Sequence, residues 1–531
     1  MGDNTDTAPL LTSRKDKPAK PPSIDDLIEA SIGDTGAVQL LKAVFVAFAW
    51  AFDAQQVFIS VFTDAEPRWH CAGSNSSCTP GAAAAAAPCA LPGGTWEWDR
   101  PARTSVVSEW ALQCAGPALV SLPASSFFAG CLARGFLLTT LADSLLGRKK
   151  MLVVSLVSMS AAGVLTAFAP NIWAYAALRF VSGFARSVVG TCTLVLSTEL
   201  VGRRWRDTVS VAAFFCYFVG FLSLPALAFA LREASWRSMY LWTSAPCLCY
   251  AALLYFLAQE SPRWLLVRGR TQEAVETLRQ IASRNGSSAD TTSFSKLDAC
   301  SMSDETGASG GGVFATLRMI SGRPWAIRRL AAIMVAGFGV GMVYFGMPLT
   351  VGSLGPNLYL STIYNALAEV PSAVLSWLLI ARAGRRASVV ALAASAGTCS
   401  LACAAIPRGA GAARMAAELA SFFATCTAYD LILIYAIELF PTCVRNSAVG
   451  LVRQAMVLGG VAAPVLVALG RERRFWSFGV FGFAIGGAGV FAACLPETRG
   501  KTMSDTMEEE RNEASCTSTT PIAKHTDRDL V

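Results

Sequence analysis

Histidine is nearly missing: His70 and His525 are the only two in 531 residues, and neither has metal-ligand neighbours. A His-based metal centre is therefore not expected. Charge is also scarce, at 15% Asp, Glu, Lys and Arg, where soluble domains carry about 25%. No GxxxxGK[ST], HExxH or GxSxG pattern occurs, so nucleotide and ordinary hydrolase chemistry has no foothold. No enzyme and no cofactor are expected. The net charge of +7 is spread over loops, which argues against a nucleic-acid surface. Residues 1–35 are polar and the first apolar run is too long for an h-region, so no secretory signal is expected. What is abundant is apolar surface, with 53% hydrophobic residues and a mean hydropathy of +0.45. The composition is that of a polytopic membrane protein.

A helix crosses a bilayer with about 20 mostly apolar residues. Twelve such runs start near Gly36, Pro117, Met151, Ile172, Ser210, Ser238, Arg329, Tyr359, Ser388, Met415, Ser447 and Trp476. They are spans one to twelve. The polar stretches 63–116 and 259–327 divide them. The expected organisation is an N-terminal tail 1–35, six spans over 36–258, a linker 259–327, six spans over 328–495, and a tail 496–531. Basic residues favour the cytosolic side of short loops. GRKK (147–150), GRRWR (202–206) and RAGRR (382–386) follow spans two, four and eight, and GRERRF (470–475) is an exception on the other side. The balance puts both termini, the linker and the tail in the cytosol and the 63–116 loop outside or in a lumen.

That loop holds Cys71, Cys78, Cys89 and Cys114, a disulfide framework with three possible pairings. Asn75-Ser76-Ser77 is a glycosylation acceptor there, whereas Asn285-Gly286-Ser287 falls on the cytosolic side. The other cysteines, mostly within spans, read as small buried side chains.

The two halves repeat. Glu199/Arg206 after span four matches Glu438/Arg445 after span ten; GRKK matches GRRA (384–387); ESPRW (260–264) matches PETRG (496–500). The offsets of 239, 237 and 237 agree, which indicates a duplicated six-helix unit of the kind found in rocker-type transporters.

On SVVSEWALQC (105–114), ADSLLGRKK (142–150), STELVGRRWR (197–206), QESPRWLL (259–266), ALAEVPS (366–372), IELFPTCVRN (437–446) and LPETRG (495–500), the chain resembles the major facilitator superfamily, and within it the plant branch of the organic cation/carnitine transporters. The resemblance implies an all-α membrane protein of twelve transmembrane helices in two pseudo-symmetric bundles. It departs from the superfamily pattern at Thr139, in the spacing of Asp143 and Gly147, and at Ala381. Val457 stands at the span-eleven position where animal relatives carry a substrate-discriminating charge.

Charges within spans are expensive, roughly 2.5–3.5 kcal/mol each on insertion scales. Asp53 in WAFDAQQVF (50–58) heads a stripe with Gln56 and Ser60; Glu369 sits in another with Thr362, Asn365, Ser372 and Ser376. These stripes mark Asp53, Gln56, Asn365 and Glu369 as candidate substrate contacts facing one midplane cavity. Tyr344 joins them, with Tyr217 and Trp50 as lesser candidates, because an aromatic face attracts a quaternary ammonium. Arg179, Arg186 and Arg453 read as partners for carboxylates, and the alternative reading of Asp53 is a structural partner of Arg179 or Arg453. Asp430 is expected to pack with a neighbouring arginine. Lys42 and Glu418 are close enough to span ends to snorkel. At the cytosolic ends, Asp143/Arg148, Glu199/Arg206, Glu260/Arg263 and Glu438/Arg445 are expected to latch the halves. TQEAVETLRQIASRNG (271–286) predicts an amphipathic helix with Val275, Leu278 and Ala282 on its apolar face; 285–312 and the tail beyond about Ser504 read as disordered.

The expected function is secondary transport of a small organic cation or a zwitterion such as carnitine by alternating access, with a proton as candidate coupling partner and the lipid bilayer as setting. A monomer is expected. Alternatives are a sugar, polyol or organic anion carrier, and a non-transporting receptor using the 63–116 loop. Span seven lacks paired glutamines, which counts against the sugar reading. Asp6-Thr7-Ala8-Pro9-Leu10-Leu11 fits an acidic dileucine signal, leaving the vacuolar and plasma membranes both open.

Overall fold

The structure, a computed structural model, describes residues 35–72, 89, 91, 94–137, 147–285, 318–354, 357–407, 409–471, 474–499 and 507–508. Asp143, Asn75, Cys78, the Ala82–Ala87 run, the dileucine segment, and nearly all of 285–312 and of the tail beyond Ser504 lie outside them.

Eleven helices among the described residues are long and apolar enough to cross a membrane, and a twelfth, Phe478–Ala493, is apolar but shorter. In order, spans one to six are Ala37–Thr63, Pro117–Leu137, Arg148–Thr166, Ile172–Glu199, Arg203–Ala230 and Trp236–Leu257. Spans seven to twelve are Pro324–Thr350, Leu358–Arg382, Arg385–Ala405, Gly411–Leu439, Thr442–Leu469 and Phe478–Ala493. Spans five, seven, ten and eleven begin several residues before the apolar runs. Polar first turns such as Arg203-Arg204-Trp205-Arg206 are helical too, because backbone bonding does not stop where hydrocarbon does. Local signals set the starts: Asn171, Ser235 and Asn357 cap their helices, and Pro324 occupies a first turn.

Small residues let the helices approach. A Cβ on Gly220 in span five would lie 2.2 Å from the Ala51 carbonyl of span one; on Gly459 in span eleven it would lie 2.4 Å from the Phe338 carbonyl of span seven. The two glycines are 239 residues apart, so the sequence repeat reappears as a repeated backbone contact. Spans two and eleven, and five and eight, pack across the halves. Ser125 donates to the Val461 carbonyl at 2.9 Å, and Phe128 meets Phe345 at 4.7 Å between ring centres.

In the 63–116 loop, β1 (Trp69–Cys71) pairs antiparallel with β2 (Trp96–Trp98), Cys71 opposite Trp96. Cys89 is bonded to Cys114, and Cys71 is also disulfide-bonded. The linker forms helices at Pro262–Val267 and Thr271–Asn285. The second turns Ala274, Leu278 and Ile281 inward and leaves Val275 half-buried. This face is rotated from the expected one, because the helix packs against the N-terminal part of span one and the preceding helix Pro262–Val267.

Candidate functional site

Where the halves meet, aromatic side chains gather around one carboxylate. Tyr344 of span seven donates its hydroxyl to Glu369 of span eight at 3.0 Å. The Tyr344 ring contacts Tyr429 (4.6 Å), Phe345 (5.0 Å), Phe422 (6.0 Å) and, from the other half, Phe58 (6.5 Å). Tyr217 of span five lies within electrostatic reach of Glu369. Glu369 is half-buried, and besides hydroxyls and rings the Asp430 carboxylate and the Cys426 thiol of span ten lie within its electrostatic reach.

Asp53 sits differently. Arg186 of span four grips it with two hydrogen bonds, Nε to Oδ1 at 2.8 Å and Nη2 to Oδ2 at 2.9 Å. Neither Arg179 nor Arg453 is the partner. The reason is helical register: seven residues is about two turns, so Arg179 and Arg186 share a face of span four at different depths. Arg186 meets Asp53 and Arg179 meets Ser60. Asp53 and Glu369 thus belong to two clusters, and Tyr217 lies within electrostatic reach of both. Gln56 donates to Ser244 at 3.3 Å within its own half. Asn365 donates to Glu418 at 3.1 Å, one turn beyond Glu369. Glu418 does not snorkel: it is fully buried, because it stands seven residues inside a helix that starts at Gly411. Asp430 accepts from Ser376 at 3.0 Å, so its partner here is a hydroxyl. Arg453 donates to Thr191 across the halves at 3.2 Å. Trp50 donates to the Gly190 carbonyl at 3.0 Å, a packing role.

At the linker end, carboxylates cap helices of their own half. Glu260 accepts the Lys149 backbone N–H at 2.9 Å, and Glu497 accepts those of Arg385 (2.7 Å) and Arg386 (3.2 Å). Helix N-termini offer unsatisfied N–H groups and a positive dipole end to such anions. Burial alone would raise the Glu497 carboxyl, but N–H donors from Arg499, Arg385, Thr498 and Arg386 hold it below its ordinary range. Arg385 pairs with Glu438 at 3.0 Å, and Thr498 donates to the same carboxylate at 2.6 Å. Arg445 donates to the Phe440 carbonyl at 3.2 Å. Arg148, Glu199, Arg206 and Arg263 stand at the same end. These contacts of Glu260, Glu438, Arg445 and Glu497 bind each half to itself, where a latch between halves was expected.

Further contacts between the halves are made at the opposite, loop-bearing end. Tyr359 at the start of span eight accepts a hydrogen bond from Arg100 of the loop at 2.9 Å, stacks on Phe62 (6.0 Å) and meets Phe229 edge-on (5.6 Å). Arg471 pairs with Glu66 at 3.5 Å. Sequence reasoning misses Tyr359, Arg100, Phe58 and Tyr429. Being single residues outside any polar stripe, they carry no periodic signal.

Residues 100–509 match the family described as Sugar (and other) transporter. The chain belongs to the major facilitator superfamily. Organic cation/carnitine transporter 2 of Arabidopsis thaliana is 48% identical over 513 residues, covering 95% of this chain and 96% of that relative. Organic cation/carnitine transporter 3 of the same plant is 48% identical over 95% of this chain and 97% of its own length. Among solved structures, the inward open xylose transporter XylE from E. coli superposes with a TM-score of 0.61 over 87% of this chain and 97% of its own, at 18% identity. This transporter is a multi-pass membrane protein for small molecules, and its relatives and fold are those of carriers, not enzymes.

Proposed function

We propose that this transporter carries small organic cations or zwitterions, and that Glu369 with Tyr344, Tyr217 and Tyr429 forms the cation site. The observation that carries the reading is a carboxylate whose described partner is a tyrosine hydroxyl, ringed by aromatic faces. A desolvated ammonium over such a face gains up to about 2 kcal/mol, and the carboxylate supplies the opposite charge that Val457 lacks. Its relatives' names support the same substrate class. In the absence of cation a proton takes its place on Glu369, which provides a route to proton coupling. Asp53, gripped by Arg186, holds spans one and four together beside this site. The loop-end contacts of Tyr359 and Glu66 close one face, and their release with closure at the linker end constitutes alternating access. The monomer is the working unit, and residues 6–11 direct it to the vacuolar membrane or leave it at the plasma membrane.

The test is uptake of labelled choline, carnitine, polyamine and hexose into proteoliposomes with and without a pH gradient. Cation uptake that falls in Glu369→Gln and loses its pH dependence supports the reading. Hexose uptake without cation uptake, or normal cation uptake by Glu369→Gln, overturns it.

A further inference from the structure

We infer that Arg179 is a carboxylate-binding subsite, which makes the preferred substrate a zwitterion bearing both a quaternary ammonium and a carboxylate. The inference rests on the cation site proposed above and adds the second pole of the ligand.

Arg179 is 1% exposed. One nitrogen, Nη2, donates to the Gln56 carbonyl and the Ser60 hydroxyl, both at 3.2 Å. Its Nε and Nη1 are buried without a hydrogen-bond partner, and its ion is not matched by any carboxylate within salt-bridge distance among the described residues. The charged and titratable neighbours on every side are few. Asp64 at the end of span one is within electrostatic reach but not within salt-bridge distance; its Oδ1 accepts from Tyr175 (2.7 Å) and Thr63 (3.1 Å), and its Oδ2 is buried without a hydrogen-bond partner. The Phe127 ring of span two lies 4.2 Å from the guanidinium and Tyr240 of span six 5.8 Å. On its own helix, Arg186 is occupied by Asp53.

A buried cation with open donors is costly unless something answers it. Arg179 lines a small cavity with Val57, Phe58, Ser60, Phe128, Phe345 and Leu349, so the walls come from both halves. Two of those walls lead to the cation site: Phe58 and Phe345 both touch the Tyr344 ring. These rings join the Arg179 cavity to Tyr344 and so to Glu369, which places a compact zwitterion with its ammonium towards Glu369 and its carboxylate towards Arg179. The cavity in this conformation is about the size of one water, so the carboxylate enters as the halves part.

The experiment compares carnitine, its methyl ester and choline as competitors of labelled carnitine on the purified full-length transporter. On the wild type the ester, whose carboxylate is masked, should bind about 10- to 100-fold more weakly than carnitine, the range expected for losing a hydrogen bond between ions. In Arg179→Gln carnitine should weaken by that factor, with ester and choline little changed, and Arg179→Lys should recover part of the loss. Equal binding of ester and carnitine by the wild type overturns the inference and needs no variant. So does an equal loss for carnitine and choline in Arg179→Gln, which marks Arg179 as structural. Glu369→Gln separates the two readings: it should weaken choline and carnitine together, and if it weakens neither, the cation site fails while the Arg179 result stands on its own.

Discussion

Replacing Asp53 with Asn leaves the shape of the span-one side chain and removes its charge. The consequence follows from what surrounds it. The Asp53 side chain is 5% exposed and that of Arg186 16%, and the two share a bidentate bond. Beyond Asp53, the neighbour that Arg186 reaches is the Cys131 sulfur at 3.9 Å, a weak acceptor. Removing one member of a buried pair costs about 3–5 kcal/mol, because the other charge is left uncompensated. The residual exposure of Arg186 and the amide oxygen of Asn place this case at the low end, about 3 kcal/mol. Removing both charges, in Asp53→Asn with Arg186→Gln, should return most of that, because two neutral amides can bond to each other. The assay is thermal unfolding of the purified transporter in one detergent, run on the four members of the cycle. The single variants should each melt several degrees lower and the double variant should melt near the wild type. A double variant whose loss equals the sum of the singles shows no coupling and refutes the ion pair as the reason Asp53 is there.

Gly147 and Gly384 each face the carboxylate that caps the next helix, and a Cβ added at either would lie 2.5 Å from Glu260 or Glu497 respectively. Ala at Gly147 adds backbone strain because its φ is +80°, so Gly147→Ala should destabilise by about 1 kcal/mol more than Gly384→Ala, read from melting of both variants. Because the Glu497 carboxyl is held below its ordinary 4.5, its contribution is present above that pH and fades as pH falls through the depressed value. Glu497→Gln should therefore lower the melting temperature at neutral pH, and its gap to the wild type should narrow below about pH 4; a gap constant with pH refutes the charge argument. Arg206→Ala or Arg445→Ala should reduce maximal uptake rate more than apparent affinity, and a loss confined to affinity would remove these arginines from the conformational cycle. Tyr359→Phe combined with Arg471→Ala loosens the loop-end closure and should raise labelling of a cysteine placed at Phe62 by a membrane-impermeant reagent; unchanged labelling shows that these contacts do not hold the end shut.

What the chain discloses by itself depends on how far a signal is spread. Apolar runs extend over some twenty residues each, so span number and order can be counted from the amino-acid letters alone, and agreeing offsets of 237 and 239 carry the two-fold repeat. The Gly220 and Gly459 contacts are the same repeat written in backbone. Polar stripes pick out Asp53 and Glu369 because intramembrane charge is costly wherever it sits, but cost does not name the partner. The partner of Asp53 is chosen by depth and by which face of span four turns inward, and Arg179 and Arg186 share a face. Only the packed bundle separates them, handing Asp53 to Arg186 and leaving Arg179 with open donors. Glu418 shows the same limit from the other side: seven residues from a helix start looks near an end, yet about 10 Å of depth beside Asn365 is interior. At the linker end Glu260 and Glu497 accept backbone N–H groups, which no side-chain pattern displays. The residues that give this transporter its chemical selectivity are therefore those whose position in the sequence says little, since a binding site is assembled from side chains that many helices contribute one or two at a time.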